Sequence, residues 1–371
     1  MRAISTFIII LIFFSSFLQF STVQAHPLQL RIDFQKNSLL QQKIVPKMIP
    51  KVVSKTSTDY GFNPTDITLS DDGFHRSDML HFIEWWYFDA IFENGYSAQM
   101  SIRVVNAFDL GIVYSRLDIY KHGILLSHNQ ECYLFDMFIA SSSQPLIYLD
   151  GKKIIQGYID EKTDTLIFDV CFSFSQASAD LRFIGLTKGW KGQLPGGDWW
   201  GVILPQAAVT GSLTLHDQSI PVSGRGYHDH NWEVTASAGL NFGWFWGKIS
   251  SKKYAVTWST ILSTRFIRQP ILVINTQCGG YLNIPSPDID FAARNYSFDS
   301  GLLLPHSFSL VVHTSDVDMK IDIEVLSVHH DRILAVLNYW RYHVKCTGFI
   351  TVQGITEPVD SIEIAEFLRF R

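Results

Sequence analysis

Gly211-Ser212-Leu213-Thr214-Leu215-His216-Asp217-Gln218-Ser219-Ile220-Pro221-Val222 reads as a hairpin. Gly211 to Leu215 and Ser219 to Val222 are its strands, and His216-Asp217 is its turn. The chain repeats this stretch. At one fixed offset Gly211 falls on Gly348, Thr214 on Thr351, Pro221 on Pro358 and Val222 on Val359. Leu213 and Leu215 fall on Ile350 and Val352, and Asp229 falls on Glu366. A looser match pairs Trp86 with Trp244 and Tyr96 with Tyr254. Each half of the chain therefore opens on an aromatic strand and closes on a hairpin that ends in an acid. The boundary falls near Ala236 to Asn241.

Short strands divided by turn signals fill the rest. Glu84 to Phe92 runs into an Asn94-Gly95 turn, and Tyr96 to Ala107 and Gly111 to Tyr120 follow. Leu146 to Leu149 leads into Asp150-Gly151; Leu166 to Phe174 and Ala179 to Gly185 are further strands. Lys188 to Gly197, rich in glycine, reads as a loop. No long amphipathic helix stands out. Strands at this spacing call for an all-β architecture of barrels or sandwiches.

The N-terminus reads differently. Arg2 precedes an apolar run from Phe7 to Phe14, and Val23-Gln24-Ala25 offers small residues for a peptidase. Residues 1–25 are thus expected to be a cleaved signal peptide, which predicts a secreted or periplasmic protein with no stable transmembrane segment. Residues 26–74, interrupted by Pro46, Pro50 and Pro64, are expected to form an irregular arm. The expected domains are 75–238 and 239–371. In an oxidising compartment Cys132 could pair with Cys171 and Cys278 with Cys346; four separate thiols are the alternative. Asn295-Tyr296-Ser297 is a glycosylation sequon.

A net charge of -5, with no basic run, points away from nucleic acid. The sequence has no Gly-x-Ser-x-Gly elbow, P-loop, Gly-x-Gly-x-x-Gly or His-Glu-x-x-His. Its 10 Trp and 27 Phe suit an apolar small-molecule ligand. The densest chemistry follows the first hairpin, in Gly224-Arg225-Gly226-Tyr227-His228-Asp229-His230-Asn231-Trp232. On a strand, Tyr227, Asp229 and Asn231 share one face, and His228, His230 and Trp232 share the other. His228-x-His230 has the spacing of a metal clip, but the glycine and later acid of a cupin site are not in place, and no metal or cofactor is expected. In a second cluster, Glu84-Trp85-Trp86-Tyr87, Glu84 and Trp86 share a face. Tryptophans around a few acids suit a substrate that becomes cationic.

Glu84-Trp85-Trp86-Tyr87, then Gly226 to Trp232, then Trp244-Phe245-Trp246-Gly247 resemble the carotenoid 1,2-hydratase (hydroxyneurosporene synthase) and AttH-like group, over about residues 75 to 371. That group is similar to secreted hydratases of prenylated phytoalexins such as kievitone hydratase. The resemblance implies two tandem lipocalin-like antiparallel β-barrels. It also implies acid-catalysed hydration of an isoprenoid double bond, with Asp229 as acid and Tyr227 beside it. Asp198-Trp199-Trp200 stands where the group has a His-x-Trp pair, and Glu233 where it often has glycine. On this reading Trp86, Trp200 or Trp244 faces the cation, Trp246, Glu84 and Asn231 also contact substrate, and His228 or His230 holds or deprotonates the water. A carrier of an apolar ligand and a cofactor-free cyclase or pericyclase are the alternatives.

Overall fold

The computed structural model describes residues 61–77, 81–107, 110–194, 196–235, 242–263, 268–277, 279–333 and 337–369. The expected signal peptide and Cys278 lie outside them. In chain order the first sheet takes β1 (Thr65–Asp66), β2 (His81–Phe92), β3 (Tyr96–Ala107), β4 (Leu110–Lys121), β5 (Ile124–Leu134), β6 (Phe138–Ala140), β7 (Leu146–Leu149), β8 (Lys152–Asp160), β9 (Thr165–Ser173), β10 (Ala177–Gly185), β11 (Trp190–Gln193), β12 (Trp199–Leu215) and β13 (Gln218–Val234). The second takes β14 (Gly243–Ser250), β15 (Tyr254–Leu262), β16 (Arg268–Thr276), β17 (Tyr281–Ile284), β18 (Ile289–Asp299), β19 (Leu302–His313), β20 (Val317–Ile333), β21 (Leu337–Val352) and β22 (Ile355–Arg369).

Both sheets are antiparallel meanders in which the last strand returns to pair with the opening one, β13 with β2 and β22 with β14. The first runs β5-β4-β3-β2-β13-β12-β10-β9-β8-β7-β6, and the second β17-β16-β15-β14-β22-β21-β20-β19-β18. They form the expected tandem barrels, one nearly closed and the other a half-barrel. Alternation fills each interior. Trp86, Phe88, Phe168 and Phe183 lie in the first core, and Phe245, Trp258, Phe308 and Trp340 in the second. A third core joins the sheets, where Trp190, Trp200 and Tyr227 meet Trp246, Ile271 and Val273. Because β15 is covered on both faces, all nine of its residues are buried.

The repeated hairpin has a backbone cause. Gly211 and Gly348 have φ of +148° and +144°, and a Cβ at either would run into a carbonyl oxygen, of Asp180 or Lys320. The first hairpin is longer than its sequence signal, with legs of 17 residues each. Inside the expected 188–197 loop, β11 pairs with β12. The looser aromatic match shifts by one residue: Tyr87 lies opposite Asp229 as Trp246 lies opposite Glu366, so Trp85, not Trp86, corresponds to Trp244. Glu233 takes φ +55° at the register shift between Asn231 and Val234, which explains why glycine suits that position. Cys132 and Cys171 are separate exposed thiols, not a disulfide.

Part of the expected irregular arm is built into the first barrel. Thr65–Asp66 pairs with β11, and a 3-10 turn at Leu69–Asp72 carries Asp72 into full burial. Gly348→Ala is expected to destabilise the protein by roughly 1–3 kcal/mol, read by urea unfolding. Gly354→Ala, where a Cβ meets open space, should cost less.

Candidate active site

The strand pair β2–β13 divides its side chains between two environments. One face looks into the first barrel. There His228 Nε2 meets Asp72 Oδ2 at 3.0 Å and its Nδ1 meets the Tyr87 carbonyl at 2.9 Å. Its ring stacks on Phe88 at 3.7 Å. His230 Nε2 lies 2.9 Å from Glu84 Oε1, and its Nδ1 lies 3.2 Å from Asp72 Oδ1. His230 stacks on Trp86, whose indole donates to the Asp72 carbonyl at 3.0 Å. Burial alone would raise Asp72 and Glu84, but the imidazoles around them hold both carboxyls below their ordinary range. For His230, burial favours the neutral ring. Hydrogen bonds to Asp72 and Glu84 outweigh it and lift the pKa to about 9. This network ties the arm to the barrel.

His75, Glu84 and His230 place three ligand-type atoms within 4.8 Å of one another, the spacing of a metal site. Each already takes part in this network.

The other face of β2–β13 meets the second sheet across a cavity of about 330 Å³. Trp85, Tyr87, Arg103, Arg116, Asp198, Trp200, Asp229 and Asn231 line it from the first sheet; Trp244, Trp246, Ser259, Gln269, Tyr339 and Glu366 line it from the second. Asp229 is 6% exposed. Its Oδ2 accepts from Tyr227 at 2.9 Å and Trp200 Nε1 at 3.1 Å, while Oδ1 has only the Asn231 amide, at 3.4 Å. Burial raises its pKa to about 7 against those two donors, and the charges of Glu366 and Asp89 add to the rise. Desolvation also raises Asp198.

Glu366 faces Asp229's cavity from the repeat-related strand. Its Oε1 collects the Tyr339 hydroxyl at 2.6 Å, the Tyr87 hydroxyl at 2.9 Å and Arg341 Nη1 at 3.0 Å. Oε2 is left as the oxygen available to the cavity. Burial raises its pKa despite Arg341. Arg341 also donates to the Tyr87 oxygen at 2.6 Å, so the single Tyr87 proton is shared between Glu366 and Asp89, 3.0 Å away.

The sequence-derived residues thus separate. Asp229, Asn231, Trp200, Trp244 and Trp246 line the cavity, and Tyr227 supports Asp229 from behind. His228, His230, Glu84 and Trp86 do not reach it, because strand alternation points them into the first barrel, where both imidazoles, Glu84 Oε1 and the Trp86 indole are hydrogen-bonded. Water handling by either histidine is therefore corrected, as is substrate contact by Glu84 and Trp86. Sequence reading passed over Tyr87, Arg103, Tyr339 and Glu366 as site residues. The repeat did mark Glu366 as the counterpart of Asp229.

No protein-family model matches the chain, and no curated protein matches it. Solved structures do. A Nitrosomonas europaea protein described as an AttH superposes with a TM-score of 0.62 at 13% identity, covering 82% of this chain and 97% of that one. CghA with Sch210972 follows at 0.54 and 10% identity, covering 78% and 88%. Kievitone hydratase from Nectria haematococca follows at 0.50 and 15% identity, covering 77% and 88%. At these identities the shared property is the fold, and it is the fold the motifs led us to expect.

His230→Ala leaves two buried carboxylates without their common cation, and a loss of about 3–5 kcal/mol is expected. The fold favours the imidazolium. Its contribution is complete below pH 6.5 and disappears as pH rises through about 9. Urea unfolding at pH 6 and pH 10 should show the gap between wild type and variant narrowing.

Proposed function

We propose that the protein is a hydratase that adds water, by acid catalysis, to a trisubstituted double bond of an isoprenoid or prenylated substrate. One observation carries the reading: a dry carboxyl group, Asp229, on a tryptophan-lined cavity, with its pKa lifted to about 7. An ordinary carboxyl would be protonated in roughly one molecule per thousand at pH 7; Asp229 is protonated in about half. Protonating an alkene requires that form.

The hydrogen bonds to Asp229 give its two oxygens different roles. Tyr227 and Trp200 both donate to Oδ2, so the proton resides on Oδ1. It passes to the less substituted alkene carbon, forming a C–H bond and a tertiary cation, and leaves Asp229 as a carboxylate. The faces of Trp200, Trp244 and Trp246 favour that cation by about 0.5–2 kcal/mol. A water on Glu366 Oε2 bonds its oxygen to the cation and returns a proton to Asp229. The acid is regenerated and no cofactor is required.

Kievitone hydratase, on the same fold, supports hydration. CghA, also on this fold, is seen with Sch210972, which favours as a second reading a cavity that holds a small molecule without adding water. The N-terminal pattern of residues 1–25 supports action outside the cytoplasm.

Asp229→Asn should lower hydration at least about a hundredfold while retaining ligand binding. Because the protonated acid is the active form, kcat/KM should fall as pH rises through about 7. Glu366→Gln should slow turnover with little change in binding. Mass spectrometry of the product is decisive. A gain of one water supports the hydratase, whereas an isomer or an unchanged copurified ligand sinks it.

A further inference from the structure

The cations near this cavity are not equivalent. Arg116 Nη1 lies 2.7 Å from Asp331 Oδ2, and its Nε donates to Asp118 Oδ2 at 2.8 Å. Arg341 is paired with Glu366. Lys248, behind the cavity wall, is paired with Asp89. Arg103 has no carboxylate within ion-pair distance and no hydrogen-bonded partner among the described residues. Its guanidinium lies over the Trp85 ring, 5.8 Å from the ring centre. Glu366 and Tyr339 act on it only at a distance, and Arg116 repels it. Burial, then that repulsion, pulls its pKa down to about 10, so it remains charged at neutral pH. A guanidinium turned into a half-dry cavity without a counter-ion is costly unless something anionic arrives.

We propose that Arg103 is an anchor for an anionic oxygen group on the ligand, so that the cavity takes an apolar molecule with a carboxylate or ionised phenol at one end. Arg103 shares a row of the sheet with Trp85 and Asn231, two strands from the β13 position next to Asp229. That places the anion roughly 12 Å from the acid, at two strand spacings across and two residues along the strand. The ligand is long and amphipathic. Its charged head sits over the Trp85 edge, and its apolar tail crosses to Trp200, Trp244 and Trp246. Fork-shaped guanidinium donors suit a carboxylate better than an ammonium would.

This inference rests on reading the cavity as the binding site, not on which reaction occurs there. The test therefore measures binding. Four tryptophans line the cavity, so quenching of their emission reports occupancy. The probes are 4-(geranyloxy)benzoate and its neutral methyl ester, titrated near pH 7. Wild type should bind the carboxylate about ten- to a hundredfold more tightly than the ester. Arg103→Met should remove that preference while binding the ester normally, and Arg103→Lys should restore part of it. Equal binding of acid and ester by wild type, an unchanged preference in Arg103→Met, or no binding of any probe would overturn the proposal. Asp229→Asn should keep the preference intact, so loss of hydration and loss of anion recognition are read separately.

Discussion

The return of each closing strand to its opening strand is the constraint from which the site follows. Pairing β13 with β2 sets Asp229 opposite Tyr87, and pairing β22 with β14 sets Glu366 opposite Trp246. Side chains on a strand alternate, so register alone decides which reach the cavity and which reach the barrel interior. A slip of one residue would exchange Asp229 for His228 or His230. The register is held by buried partners on both faces: Phe88 and Asp72 around His228, and Tyr227 and Trp200 around Asp229.

The two faces use burial in opposite senses. Inside the first barrel, His230 meets Asp72 and Glu84 within hydrogen-bonding distance, so charge is retained and neutralised locally. At the cavity, Asp229 receives neutral donors only, from an indole, a phenol and an amide. Neutral donors stabilise a carboxylate less than a cation does, so desolvation prevails and the proton stays. Glu366 is intermediate, with a guanidinium and two phenols on one oxygen. Repeat-related acids have thus taken different surroundings.

Much of this was legible in sequence. The hairpin at 211–222 and its copy at 348–359 gave two barrels, and Gly211 and Gly348 explain why that signal survived: their backbone admits no side chain. Alternation in 227–232 put Asp229 on one face and the histidines on the other. It could not say which face met a cavity, because that depends on the second sheet. Trp85 and Trp86 are adjacent and identical, so matching Trp86 to Trp244 looked sound while choosing the core-facing partner. Asp72 was illegible for another reason. It lies 156 residues from His228, in a stretch without periodicity. The missing counter-ion of Arg103 likewise belongs to tertiary structure and leaves no mark on a strand's pattern.

The arm at 61–77 also affects where this protein can be divided. A fragment that begins at His81 would keep every long strand of the first sheet yet lose Asp72. His228 would then have no acid at its Nε2, and His230 would keep only Glu84. The indole of Trp86 would lose its acceptor as well. Sheet membership is therefore a poor guide to a self-sufficient piece. The smallest unit that satisfies its own interior starts upstream of the strands that define it.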